Sequence, residues 1–393
     1  MTPRAFNLLA AGFFLLAAGA ASASESHVAA LSFMVARVQR LQDEAAQGNK
    51  ASFAALAAAM RGVGAEIAAT DLEIWKREPE RTTAAIYLLS GGSPRDLLKA
   101  LADEDVSTDK GDMLLGALAY ASGRREQAAK LLAPIDPRHV DPRIAGQLAY
   151  IQADLAPRDE PLKALVALDL ARTLAPGGLV EEAALRRELF LVAETKDADR
   201  FINLSRQYIR RFANSYYYAN FKTSFEFNLE RLALADERAD LSRYKSLLAD
   251  FPREDRRTIG LTIARAALVT GRFAAAGEAA QTVLAEEPSE AANDAQARLY
   301  AAAAGIMSND YDKANIDLQT LPTQRLKERD RQLLNAALQV AAALRRPTPD
   351  AQDGQSQLET QSSAPNAEAT IASAEAALRG ADAELSRSVP TLR

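Results

Sequence analysis

The chain has no cysteine and, among 393 residues, only two histidines, His27 and His139. The first absence excludes disulfides, a thiolate nucleophile, a lipid-modified cysteine and any cysteine-built zinc site, so stability must rest on packing. The histidines lie far apart, and neither has a carboxylate or a second histidine four residues away. No metal site or catalytic role is expected of them, and no cofactor is implied. An excess of positive charge is also missing: 47 Lys and Arg stand against 52 Asp and Glu, for a net charge of −5. That balance excludes nucleic acid as a partner, which selects concentrated cations. Phosphate-binding glycine loops are wanting as well. Gly91-Gly92 and Gly177-Gly178 read as single turn or cap elements. Glu181 and Glu182 are neighbours on one expected helix and cannot face each other across a cleft, as glycoside hydrolysis requires. Glu182 and Arg186 are instead spaced to pair across one helical turn. The expectation is a protein that is not an enzyme.

Present at the N-terminus is the anatomy of a cleavable export signal. Arg4 is followed by an apolar run from Phe6 to Gly19, then by Ala21-Ser22-Ala23, a small-x-small cleavage site. Residues 1–23 are thus expected to be a signal peptide cut after Ala23, leaving the protein in the periplasm. Their removal takes away one cation and no acid, moving the net charge from −5 to −6. No later segment reads as long and apolar enough to span a bilayer, so the cleaved product is expected not to cross the membrane.

Alanine is abundant, and glycine and proline are placed at intervals, which favours close-packed helices with punctuated turns. Three stretches share one pattern: Tyr120-Ala121-Ser122-Gly123-Arg124, Leu268-Val269-Thr270-Gly271-Arg272 and Ile306-Met307-Ser308-Asn309-Asp310. Each ends a helical pattern in a hydroxyl residue and then Gly or Asn, which tolerate the left-handed conformation that stops a helix. An alanine stands five residues on, at 128, 276 and 314, allowing the second helix to approach the first. Prolines 134, 137, 288 and 322 then separate one hairpin from the next. With less regular dividers added, the turns fall near 48, 91, 123, 158, 196, 236, 271 and 309, mostly 32–40 residues apart. A helix over 27–47 and another over 50–69 open the series; a terminal helix near 324–345 closes it. The fold class is all-α. Residues 24–346 are expected to form one right-handed superhelical stack of degenerate tetratricopeptide-like hairpins.

After Arg346 the composition shifts. Residues 347–366 are rich in Pro, Gln, Ser and Asp and cannot bury enough surface to order themselves. The tail 347–393 is therefore expected to be disordered, with a short helical pattern over 367–380 whose Ile371, Ala374 and Leu378 share a stripe and suit folding on a partner. Within the stack, the run from Tyr208 to Phe221 concentrates Arg and Tyr, the favoured residues of binding hot spots. Three consecutive tyrosines on a helix would point in three directions. Arg210, Arg211, Tyr216, Tyr217, Tyr218 and Phe221 are the candidate partner-binding residues. The Arg doublets at 124, 186, 210, 256 and 345 read mainly as solvated helix faces.

Four stretches resemble the MotC family of alphaproteobacterial flagellar motors. They are Ser90-Gly91-Gly92-Ser93-Pro94, the hairpin 114–137 ending in Ile135-Asp136-Pro137, the segment PGGLVEEAALRRE from Pro176 to Glu188, and QYIRRFANSYYYANFKTSF from Gln207 to Phe225. The opening helix, with Val38-Gln39-Arg40-Leu41-Gln42-Asp43, also fits, so the likeness spans roughly 27–345. It implies a periplasmic protein needed for motor rotation, acting with the periplasmic part of the stator protein MotB, and it supplies no catalytic residue. Two rivals differ from that reading. A superhelical lytic transglycosylase would need a catalytic domain where this chain has a polar tail. A general periplasmic envelope adaptor is compatible with the same helical array.

Overall fold

The computed structural model describes residues 29–70, 72–100, 112–235, 242–286, 291–308 and 310–345. The expected signal segment, His27, the divider near 236, Asn309 and the tail after 345 lie outside the described residues. Among the described residues the fold is all-helical, with no strand. The helices are α1 (29–46), α2 (Lys50–Ala69), α3 (Glu78–Leu89), α4 (Pro94–Ala100), α5 (Met113–Ala121), α6 (Arg125–Leu132), α7 (Pro142–Leu155), α8 (Pro161–Leu174) and α9 (Leu179–Glu194). They continue as α10 (Ala198–Phe212), α11 (Tyr218–Ala235), α12 (Ser242–Leu248), α13 (Arg253–Val269), α14 (Phe273–Ala285), α15 (Ala291–Gly305), α16 (Tyr311–Thr320) and α17 (Glu328–Leu344). The chain divides into two compact units, Met1–Thr262 and Ile263–Arg393, with α13 running through the boundary.

One device ends five helices. Gly48, Gly91, Gly123, Lys196 and Gly271 all have positive φ. Each donates its N–H to a carbonyl three residues back, and the next residue donates to one five back. The pairs after α5, for example, are Gly123 N–H to Tyr120 and Arg124 N–H to Ala119; after α13 they are Gly271 to Leu268 and Arg272 to Ala267. These bonds satisfy carbonyls that the helix end leaves open and reverse the chain. The alanines five residues on do the packing expected of them. Ala128 and Ala276 are fully buried, and Ala314 is nearly so. A Cβ on Gly305 of α15 would lie 2.9 Å from the Ala314 Cβ, so α15 and α16 touch through their smallest side chains. Proline opens rather than merely separates: Pro94, Pro142 and Pro161 each stand first in a helix, where no amide hydrogen is needed.

In the first unit a core gathers Leu31, Val35 and Val38 of α1 with Val63 and Ile67 of α2, and with the buried faces of α3, α5 and α7. Trp75, the only tryptophan, is fully buried in the short 3₁₀ turn Leu72–Lys76. Contrary to the sequence reading, α2 is long and apolar enough by length and composition to cross a membrane. Its alanine content makes it so. Val63 and Ile67 face the protein core, while Lys50, Arg61 and Glu66 interrupt the helix with charge. In the second unit α14, α15 and α16 pack in sequence and α17 covers α15 and α16. Asp330, fully buried near the start of α17, accepts from Tyr300 Oη and Gln296 Nε2, both at 2.6 Å.

Candidate functional site

Three turns far apart in sequence meet in the first unit: the end of α1, the α8–α9 connection and the α10–α11 connection. Gln47 Nε2 donates to the Gly177 carbonyl at 2.5 Å. Asp43 Oδ1 accepts from the Leu179 N–H at 2.9 Å, at the start of α9. Helix α9 has Gly178 at its N-cap and no side chain there to cap it. Asp43 performs that duty from another helix, and it favours the positive end of the α9 dipole. A Cβ on Gly178 would stand 2.1 Å from Asp43 Oδ1, which is why glycine occupies the position. The Tyr216 N–H reaches the Ala45 carbonyl at 3.2 Å, and a Cβ on Gly48 would meet the Asn214 carbonyl oxygen at 2.4 Å.

A charged layer fixes α9 against α10. Glu181 is buried. It accepts from the Gly177 N–H at 2.5 Å and from Gln207 Nε2 at 3.2 Å, and it pairs with Arg211 at 3.0 Å. Glu182, fully buried, accepts from Tyr208 Oη at 2.6 Å and from Arg186 Nε at 2.8 Å. Burial and the adjacent Glu182 carboxylate hold the Tyr208 hydroxyl protonated, far above the ordinary tyrosine range. Arg186 continues outward over the Tyr217 ring, 5.4 Å from its centre. Further along α9, Glu188 is also fully buried. Its Oε1 accepts from Arg172 Nε at 3.0 Å, while its Oε2 has no hydrogen-bond partner. Arg172 also binds Gln207 Oε1 at 2.9 Å and Asp169, which takes Arg200 at 2.7 Å. Desolvation raises the Glu188 carboxyl to about 7 despite Arg172.

The six residues expected to bind a partner are therefore placed unequally. Tyr216 and Tyr217 lie in the turn that joins α10 to α11, and Tyr218 opens α11, so the three do not share a helix. Tyr216 is about half exposed and stacks on Phe53 with ring centres 3.4 Å apart. Tyr218 Oη donates to Asp255 at 2.6 Å. Arg210 is well exposed and loosely paired with Asp250 at 3.6 Å, and Arg211 is exposed beside Glu181. Phe221 is fully buried, stacked on Tyr208 at 3.8 Å, and its ring belongs to the core. Of the six, Arg210, Arg211 and Tyr216 are exposed, Tyr217 and Tyr218 are half-buried, and Phe221 is buried.

Next to these turns lies a cleft of about 530 Å³, lined by α1, the α3–α4 turn, α7 and the start of α9. Its amides are anchored. Gln42 Nε2 donates to the Ser90 carbonyl at 2.8 Å, Gln147 Nε2 to Ser90 Oγ at 2.9 Å, and Gln39 Nε2 to the Arg143 carbonyl at 2.8 Å. These amide donors are used within the chain, where they brace the walls of the cleft against one another. His139 sits elsewhere, exposed beside Asp136 at 3.2 Å. Among the described residues no group of three or more His, Asp or Glu could hold a metal ion. Sequence reasoning missed Asp43, Gln47 and Arg172, because their roles depend on partners in distant segments.

A family model described as Chemotaxis protein MotC matches residues 2–392. The curated Chemotaxis protein MotC of Rhizobium meliloti (strain 1021) is 30% identical over 355 residues, covering 88% of this chain and 80% of that protein. No solved structure matches the chain. Because the match takes in the opening helix, the Ser90 turn and the 176–188 and 207–225 segments that meet at this site, and runs nearly end to end, the chain belongs to the chemotaxis protein MotC family.

Proposed function

We propose that the chain acts in motility and chemotaxis as a non-enzymatic periplasmic protein required for flagellar rotation, and that it does so by binding the periplasmic part of the stator protein MotB. Membership of the MotC family supports the motility role. The signal-like N-terminus supports export. The observation that carries the binding reading is the convergence of three distant turns in the first unit. Their buried acids and arginines are spent on holding the 213–217 turn and the cleft in place. A surface fixed in this way binds without first paying for its own ordering. In this reading the hairpins stack as a right-handed, tetratricopeptide-like superhelix, which would give the partner a long face to lie on.

The test is genetic and biochemical. Cells lacking the protein should assemble flagella and fail to turn them. The purified mature chain should bind the purified periplasmic part of MotB in a titration followed by fluorescence anisotropy. A deletion strain that swims normally would remove the motor role, and absent binding with absent rotation would move the contact to another motor component.

A further inference from the structure

The cleft beside the end of α1 has a one-sided chemistry. Gln39, Gln42 and Asp43 lie within two turns of α1, on the side that lines it. Gln39 and Gln42 each donate Nε2 to a main-chain carbonyl, those of Arg143 and Ser90, at 2.8 Å. A carbonyl only accepts, so each amide must offer its nitrogen there. Each keeps an Oε1 that takes no hydrogen bond among the described residues. Gln42 is only 8% exposed, so its oxygen has little water to turn to. On α7, Gln147 gives Nε2 to Ser90 Oγ, and its Oε1 is buried without a partner. Asp43 spends Oδ1 on the Leu179 N–H and leaves Oδ2 unbonded among the described residues.

No cation answers that carboxylate among the described residues. Burial, with Glu44 beside it, pushes the Asp43 carboxyl above the usual carboxylate range, although the Leu179 N–H opposes the shift. Arg143 stands at the rim, but Asp141 holds its Nε at 3.1 Å and its terminal nitrogen at 2.7 Å. Arg186 and Arg187, which act on Tyr150 of the same cleft, pair with Glu182 at 2.8 Å and Asp154 at 3.4 Å. What remains is a set of oxygen acceptors, one of them charged, without a donor. A metal ion of the oxygen-seeking kind wants six or more ligands and several carboxylates, and the cleft of about 530 Å³ is far larger than an ion. Leu174, Leu179 and Val180 in its walls suit an organic cation carried on an apolar stem.

We infer that the cleft receives an arginine side chain from the bound protein partner. Its guanidinium meets Gln39 Oε1, Gln42 Oε1 and Asp43 Oδ2, and its stem lies along Leu174, Leu179 and Val180. Residues 39 and 43 stand about 6 Å apart along the axis of α1, so the acceptors form a row rather than a point. A flat guanidinium offers five donors in a fork that spans such a row, whereas an ammonium is a compact and strongly hydrated point charge. Arginine is also among the residues that anchor protein contacts from desolvated pockets. The inference rests on the binding reading above and names the side chain that the partner inserts.

N-acetyl-arginine amide probes the site directly, and N-acetyl-citrulline amide is its uncharged isostere. In calorimetric titrations of the full mature chain, the first should bind at least about tenfold more tightly than the second. Asp43→Asn keeps an acceptor for the Leu179 N–H and should erase that preference. Ala183→Leu fills the cleft from its wall while leaving Asp43 in place, and should weaken the arginine amide at least about tenfold. The arginine amide should also displace the periplasmic part of MotB, and the citrulline amide should not. Equal binding of the two amides, or a preference that survives Asp43→Asn, would overturn the inference. So would arginine binding that leaves a MotB complex undisturbed, because the partner would then not use the cleft. Asp43-dependent arginine binding by a chain that does not bind MotB at all would support the cleft and overturn the MotB assignment alone.

Discussion

Asp43 Oδ1 receives the Leu179 amide hydrogen across 2.9 Å, so the last turn of α1 caps the first turn of α9 over 136 residues of sequence. The bond ties the opening helix to the segment that holds Glu181, Glu182 and Glu188. Replacing Asp43 by Ala should cost about 1 kcal/mol, the usual loss for a helix cap. Asn can accept the same hydrogen bond, so Asp43→Asn should retain at least half of it. Thermal unfolding of the two variants beside the parent decides the matter. If Asn proves as damaging as Ala, the contribution comes from charge at the helix end rather than from the cap.

Gly48 and Gly123 look alike from their backbones, with φ of 95° and 74°. Their surroundings differ. A Cβ at 123 meets nothing within 4 Å, whereas one at 48 would lie 2.4 Å from the Asn214 carbonyl oxygen. Gly123→Ala should therefore cost only the left-handed conformation, about 1–2 kcal/mol. Gly48→Ala should cost clearly more, because backbone must move to admit the methyl group. Urea titration of both variants measures the difference. Equal losses would mean that the α1–α2 turn can shift away from the 213–217 turn freely.

The pH dependence of stability should carry the mark of Glu188. An ordinary glutamate titrates near 4.5, and this buried one near 7. Between those values the folded chain keeps a proton that the unfolded chain has released, so stability falls as pH rises through that window. The fall attributable to this group is complete above 7 and amounts to about 3 kcal/mol at most. Glu188→Gln cannot ionise and should flatten that part of the curve while keeping an acceptor for Arg172. Unfolding midpoints at pH 5 and pH 8 for both proteins isolate the contribution. Parallel pH curves would show that water or Arg172 already stabilises the carboxylate.

Local chemistry was readable and long-range chemistry was not. The glycines at 48, 91, 123 and 271 could be placed at helix ends because a left-handed stop depends on a few neighbouring residues. Alanine at 128, 276 and 314 followed from the same hairpin logic. Asp43 carried no local signal, since its partner stands on another helix. The tyrosine run was read as continuous helix, but Ser215 begins a turn. Its hydroxyl accepts from the Tyr217 N–H at 3.1 Å, and Tyr216 reaches back to α1. That turn leaves Phe221 facing inward, where it stacks on Tyr208. Helix α2 shows the opposite limit: alanine alone raises hydropathy without specifying which solvent the helix meets.

The exposed part of the 208–221 run can be tested without disturbing its scaffold. Arg210 and Tyr216 present the most surface, and neither anchors the buried acids. Arg211, Tyr208 and Tyr217 do engage those acids or their arginine partner, so their removal would confuse folding with binding. Arg210→Ala with Tyr216→Ala should leave the helical circular dichroism unchanged and shift the melting temperature by only a few degrees through the lost Phe53 stack, roughly the consequence of 1 kcal/mol in a domain this size. Affinity for the periplasmic part of MotB should fall at least about tenfold, as expected when an exposed Arg and Tyr lie near the centre of a contact. The comparison variant is Phe53→Leu, which removes the ring stacked beneath Tyr216 and touches no proposed contact directly. It should weaken binding less than the double change. Full binding by a folded Arg210→Ala, Tyr216→Ala protein would move the contact off this turn. The cleft lined by Gln39, Gln42 and Gln147 would then be the next surface to alter.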